Sequence, residues 1–238
     1  MRQQSAKNRQ NRHLQISIVI PVLNEAEHLS AKLLALQVLR DRCQLIVVDG
    51  GSDDSSPTLA EPLVDKLILS SRGRGRQMNA GAAQANAEIL LFLHADTRLP
   101  EQAIDWITQA VAQGYQWGRF DVAFDSPKPV FKLIAFMMNQ RSRLTGIATG
   151  DQTLFMTRAG FTAVGGFPEI ALMEDIAISR QLKKLGKPAC IKDKVVTAAR
   201  RWQQHGIGKT IVLMWWLRLA YFLGADPDDL AERYYGRT

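Results

Sequence analysis

"ILLFLHADT", Ile89–Thr97, is a run of five apolar residues that ends on His94 and Asp96. A short continuous apolar run bounded by polar residues reads as a strand covered on both faces. Strands of that kind belong to parallel sheets, and such sheets bind ligands beyond their carboxyl ends. The other strands of the first half end in a similar way. "LQISIVIPV" (Leu14–Val22) runs into Asn24 and Glu25. "CQLIVVDGG" (Cys43–Gly51) stops at Asp49 and two glycines. "DKLILSS" (Asp65–Ser71) leads into "RGRGR".

Between these strands the apolar spacing turns helical. Helices are predicted over Glu25–Leu39, briefly after Gly51, over Arg76–Ala87, and over Glu101–Gln113 behind Pro100. The alternation predicts an α/β domain: a Rossmann-like, mainly parallel central sheet with helices on both faces. The second half is less regular. Strands are predicted in "GRFDVAFD", "DQTLFMT" and "PACIKDKVVTAA", and helices over Val130–Arg143 and Met173–Leu185.

The chain has 238 residues, 46% of them hydrophobic, enough for one core with a small appendage. Residues 1–13 are polar and basic and read as a flexible arm without the apolar core of a signal peptide. Residues 14–205 form the domain, split at 98 into a ligand-binding and a catalytic half, and 206–238 form a helical extension. In that extension "TIVLMWWLRLAYFLG" (Thr210–Gly224) is apolar except for Arg218. It is short for a span. Three readings stay open: a helix packed on the domain or a second subunit, an interfacial membrane helix, and a true span.

Cys43 and Cys190 are isolated, which argues against a zinc site and fits a reducing cytoplasm. A net charge of +7 favours anionic partners, or serves solubility alone. The expected location is the cytoplasm, with a peripheral contact on the inner face of the membrane carried as an alternative.

The first strand-to-helix turn has no GxGxxG, and the chain has neither a P-loop nor a nucleophile elbow. Glu25 at a helix start either accepts hydrogen bonds from a base or ribose or favours the helix dipole. Asp49, before two glycines that permit close backbone approach, is placed to accept from a nucleobase or ribose. Arg72, Arg74 and Arg76 suit diphosphate oxygens, or form a solvated basic loop. Asp96 at the sheet edge suits a hard divalent ion that also takes phosphate oxygens. His94 has the same strand parity as Asp96; it is a ligand, a supporting group or a hydrogen-bonded core histidine.

Taken together, "IVIPVLNEAEHL", "LIVVDGGSDDS", "GRGRQMNAGAAQANAEILLFLHADT" and "GDQTLFMTRAGFTAVGGFPEIALMEDIAISRQLKKLG" resemble the family 2 glycosyltransferases, which have the GT-A fold. The resemblance covers Ser17–Gly186. It implies a nucleotide-diphosphate sugar donor, with UDP favoured, and Mn2+ or Mg2+. It implies that Pro21, Val22 and Glu25 line a nucleoside pocket and that Asp49 contacts the base. Gly51, Arg72, Arg76, Asn79 and Ala95 are carried with them as donor-binding residues. The family's DxD-type motif aligns with His94, Ala95 and Asp96, which makes Asp96 the metal ligand and puts a histidine where the first aspartate stands. The acidic pair before a helix matches Glu174 and Asp175, with Asp175 the expected base. His205 is a candidate late metal ligand, and "RRW" (Arg200–Trp202) matches QxxRW without its glutamine, which is Ala198 here.

The expectation is therefore metal-dependent glycosyl transfer, with inversion, to an unidentified acceptor; a lipid-linked acceptor and a homodimer are both carried. Two rival readings are a catalytically inactive nucleotide-binding scaffold at the membrane surface, suggested by His94, and a nucleic-acid binder. The second leaves Asp49, Asp96 and the Glu174–Asp175 pair without a role, so no nucleic-acid partner is expected.

Overall fold

A computed structural model describes residues 15–236, apart from the side chains of Arg201, Gln204 and His205. The expected basic arm, 1–13, lies outside the described residues. The strands are β1 (Ile16–Val22), β2 (Cys43–Asp49), β3 (Lys66–Leu69), β4 (Ile89–Phe92), β5 (Thr97–Arg98), β6 (Trp117–Phe124), β7 (Leu154–Thr157) and β8 (Ala189–Thr197). They form one sheet in the order β3-β2-β1-β4-β7-β6-β8-β5. The central strand β1 pairs in parallel with β2 and β4, so that Ile18 lies between Leu45 and Leu91. β7 runs antiparallel to both β4 and β6, and β5 runs antiparallel to β8. The remaining pairs are parallel, so the sheet is mixed but mainly parallel.

The side-chain period of two sorts the strands onto two cores. Ile16, Ile18, Ile20 and Val22 of β1 and Leu45 and Val47 of β2 face helices α1 (Ala26–Ala35), α4 (Ala103–Ala112) and α5 (Pro129–Thr145). Val19, Ile46 and Val48 face α3 (Arg74–Ala83) and α7 (Glu174–Leu182) on the other side. Each such aliphatic side chain contributes ~1.5–3 kcal/mol when fully buried. Smaller helices α2 (Ser56–Ala60) and α6 (Arg158–Ala163) close the edges. The predicted strand from Asp151 begins instead as a 3-10 turn, Gly150–Gln152, closed by a capping box between Thr149 and Gln152.

Helix α8 (Arg200–His205) ends the stretch assigned to the domain, and the extension contains α9 (Ile207–Phe222) and α10 (Pro227–Tyr235). Leu217 of α9 and Leu230 of α10 pack on Leu172, Met173 and Ile176 at the start of α7. The other side of α9 leaves Val212, Trp215, Trp216, Leu219, Phe222 and Leu223 exposed. Among the described residues no helix is long and apolar enough to cross a membrane, which sets aside the spanning reading for these residues.

Helix α3 approaches the sheet through glycines. A Cβ on Gly81 would overlap Val19 Cγ1, and one on Gly75 would overlap the Pro168 carbonyl. Gly81→Ala is expected to lower stability by about 1–3 kcal/mol, as overpacking of a close-packed interior does. A fall in the urea midpoint at unchanged slope checks this.

Candidate active site

The carboxyl ends of β1, β2 and β4 lie side by side at one edge of the sheet, the candidate cleft, and the loops after β1 and β2 are tied to one another. Asn24 is left-handed (φ 55°), and its Oδ1 accepts from Asp53 N at 3.0 Å while its own N donates to Ser52 Oγ at 2.9 Å. Glu25 N donates to Ser56 Oγ and Ala26 N to Asp54 Oδ2, so the second loop caps the first turn of α1. Asp49 is buried. Its Oδ2 accepts from the N–H groups of Gly51 and Ser52, both at 2.9 Å, and its Oδ1 from Ser52 Oγ. Its carboxylate thus shapes the Gly50–Ser52 turn, where Gly51 has φ 88°. Val22 stands in the core at 1% exposure; its carbonyl accepts from Gly50 N and Gln77 Nε2. Strand parity turns the Val22 side chain inward. Pro21 beside it is half-buried.

The basic loop is the start of a helix: α3 begins at Arg74, two residues before the predicted start, after Gly73 at φ 138°. Arg72 is exposed. Arg76 Nε pairs with Glu169 Oε2 at 3.1 Å, also exposed. Asn79 has both ends of its amide on the backbone of Phe167, at 2.9 Å each. Its amide clasps the Gly166–Phe167 turn to α3. Arg74 is the arginine that reaches the cleft. Burial alone would lower its pKa, but Tyr235, Glu174, Tyr234 and Asp151 around it raise it.

Asp96 is exposed two residues beyond His94, and Ala95 between them is half-buried against the core. Burial raises the Glu25 carboxyl, and the charge of Asp96 raises it further, so two acids share this end of the cleft. Beneath them Lys32 is buried with its Nζ unpartnered; burial lowers it to about 8 against the pull of Asp96. Among the described residues no three His, Cys, Asp or Glu side chains gather as a metal-binding group. A divalent ion nevertheless fits. Asp96 is an open hard ligand facing a second carboxylate, and such ions complete their shell with substrate phosphates and water. The His205 side chain lies outside the described residues.

His94 turns away from that position. Its Nδ1 lies 3.8 Å from Asp151 Oδ1, and the Cε1–Nε2 edge of its ring lies against Gly150, where a Cβ would overlap it. Burial alone would raise the Asp151 carboxyl, but His94, Arg74 and Arg218 together hold it below the usual range. Gly150 N donates to Asp175 Oδ2 at 2.9 Å, and Ile176 N donates to Asp175 Oδ1 at 2.7 Å. His94, Gly150 and Asp175 are therefore consecutive contacts that join the end of β4 to the start of α7. Glu174 beside Asp175 is buried at 5% exposure. Asp151, Gly150 and Lys32 were not singled out from sequence. A lone lysine on the apolar face of α1 was the available signal for Lys32, whereas Asp151 read as the start of a strand.

Burial first, and the charge of Asp175 second, raise the Glu174 carboxyl above its ordinary value of 4.5. The folded state then holds this proton more tightly than the unfolded chain. The stability it contributes is complete below the unfolded pKa and is lost as pH rises through the raised folded value. Glu174→Gln is expected to raise the melting temperature at pH 8 and to leave it nearly unchanged at pH 4; paired thermal melts at the two pH values check this.

Residues 17–164 match the family described as glycosyl transferase family 2. The chain is 31% identical over 154 residues to the undecaprenyl-phosphate 4-deoxy-4-formamido-L-arabinose transferase of Photorhabdus laumondii, covering 57% of this chain and 46% of that protein. It is 32% identical over 112 residues to the enzyme of the same name from Pseudomonas savastanoi, covering 42% and 33%. The matched region is less than half the length of these curated relatives. Among solved structures, S. aureus TarS 1–349 superimposes with a TM-score of 0.62 at 16% identity, over 78% of this chain and 61% of that one. The mannosyltransferase PcManGT from Pyrobaculum calidifontis, in complex with GDP-Man and Mn2+, gives 0.58 at 21% identity, over 82% and 63%. Glucosyl-3-phosphoglycerate synthase from Mycobacterium tuberculosis, with Mn2+ and UDP, gives 0.57 at 17%, over 80% and 72%. At these identities the structural likeness is one of fold. The profile match over most of the chain and the shared architecture make this protein a member of glycosyl transferase family 2, an enzyme of the glycosyltransferase class with the GT-A fold.

Proposed function

We propose that the cleft transfers a sugar from a nucleotide-diphosphate donor, UDP-linked by preference, to an acceptor oxygen with inversion at the anomeric carbon. The observation that carries this reading is the chain of contacts from His94 through Gly150 N–H to Asp175, which holds the Asp96 loop and the acidic pair on one cleft. Asp96 would hold Mn2+ or Mg2+ together with the donor's diphosphate, with Glu25 the nearest further acid. When bound, the ion supplies Lewis-acid charge against the negative charge that builds on the departing diphosphate. Arg74 adds fixed positive charge in the same cleft. The turn shaped by Asp49 presents Gly51 to the base, and Arg72 and Arg76 lie on the loop and helix start beside it.

Where the attacking oxygen is a hydroxyl, Asp175 accepts its proton; an acceptor phosphate is already anionic and attacks without a base. The two backbone N–H donors to Asp175 fix the plane of the carboxylate and leave lone pairs on both oxygens for the acceptor. The apolar outer side of α9, rimmed by Lys209 and by Arg233 over the Trp216 ring at 4.8 Å, rests on an anionic lipid surface. The relatives' names specify a polyprenyl-phosphate acceptor, which makes that surface the natural place to meet one.

Three measurements test these assignments. In a thermal-shift screen of nucleotide sugars, Mn2+ should increase the shift produced by a UDP-sugar, and Asp96→Ala should remove the metal-dependent part. Asp175→Asn should lower kcat by about 10²- to 10⁴-fold, the usual worth of a general base, at unchanged donor binding. A fall of less than about tenfold would remove the base role. Trp215→Glu should abolish co-sedimentation with anionic vesicles while leaving the melting temperature of the free protein intact.

A further inference from the structure

The arginines of α5 and β6 divide into two kinds. Arg119 and Arg143 are ion-paired with Asp121, and Arg119 Nη2 also reaches the Asn139 carbonyl. Arg141 has no such partner. Its Nε and Nη2 are buried with nothing to bond to. Burial, reinforced by Arg218, lowers its pKa to about 10, against the pull of Asp175 and Asp151. Arg218 comes from α9, beside Leu217, which packs with Ile176 one residue beyond Asp175. It too is lowered by burial, against Asp175, Asp151 and Tyr234. The acids that face these guanidinium groups are engaged elsewhere: Asp175 with the N–H groups of Gly150 and Ile176, Asp151 with His94.

An unpaired cation taken out of water costs several kcal/mol, and a second one beside it adds repulsion. The arrangement is stable in use once an anion completes it. Nε and Nη2 form one edge of the guanidinium, and that edge donates two parallel hydrogen bonds to two oxygens of a tetrahedral oxyanion. A phosphate monoester carries a charge of about −1.5 to −2 near neutral pH, which matches two arginines better than a single carboxylate does.

We propose that Arg141 and Arg218 form a phosphate-binding subsite for the acceptor, at the Asp175 end of the cleft. The inference rests on the reading of the cleft as a transferase site and adds the residues that hold the acceptor's phosphate. The donor end adjoins it and shares Arg74: Asp96 acts on Glu25 and Lys32, Asp175 and Asp151 act on Arg141 and Arg218, and Arg74 acts on Glu25 as well as on Asp151. The phosphate is either that of a small soluble ester or the head group of a polyprenyl lipid. The subsite has the same chemistry for both.

Binding of three probes to the full chain tests it: glycerol 3-phosphate, farnesyl phosphate in micelles, and farnesol in the same micelles. Farnesol should not bind. Binding of both phosphates assigns the site to the phosphate itself, and binding of farnesyl phosphate alone assigns it to a lipid head group; either result supports the subsite. Arg141→Met should weaken phosphate binding by more than about tenfold, the equivalent of ~1.4 kcal/mol, with UDP and Mn2+ binding changed less than about twofold. Arg141→Lys, which keeps the charge and loses the fork, should fall between. If circular dichroism shows Arg141→Met unfolded, Arg218→Met carries the same comparison. Binding of neither phosphate, unchanged phosphate binding in the variants, or an equal loss of UDP binding would overturn the subsite. Absence of nucleotide binding to the unmodified chain would overturn the transferase reading instead.

Discussion

The cleft depends on a missing side chain. Gly150 lies close against the edge of the His94 imidazole because it has no Cβ, and from that position its N–H reaches Asp175. One residue thereby joins the end of β4 to the start of α7, which are far apart in the chain. An alanine there would have to displace the ring, and with it the Asp151 contact, before Asp175 could be held in the same way. Van der Waals contact and one charge-assisted hydrogen bond set the distance between the two acidic ends of the site.

A second constraint is electrostatic. The cleft concentrates acids that would repel one another in the absence of cations: Glu25 with Asp96 at one end, Glu174 with Asp175 and Asp151 at the other. Arg74, Arg141 and Arg218 come from three different helices to face the second group. Glu174 has its carboxyl raised by burial and by Asp175, so its proton relieves part of that repulsion. The same low-dielectric setting that makes these groups costly to bury makes them strong toward charge that appears during a reaction.

The first half of the fold was legible because its strands are apolar throughout and its helices carry a plain 3.6-residue period. β1, β2 and β4 lie where their β-branched runs put them. The strand ends Asp49 and Asp96 were legible for the same reason, since parity and position place them at the carboxyl edge. Reversal of β7 was not, because pairing direction is a tertiary choice that a four-residue strand does not encode. The start of α3 at Arg74 was hidden by two glycines that read locally as a loop. Sequence alone also did not show that the amide of Asn79 serves a turn or that the side chain of Val22 fills the core. Arg218 stood out as a lone charge in an apolar run, but only the packing of α9 on α7 shows which acids it meets.

Leu217 and Leu230 share one small core with Met173 and Ile176, the residues that flank the acidic pair. Met173 itself is held left-handed, at φ 72°, where a β-branched residue would be strained. The last helices and the backbone that carries Glu174 and Asp175 therefore draw on the same buried apolar contacts, and a truncation of Leu217 or Leu230 opens a cavity directly behind the acids.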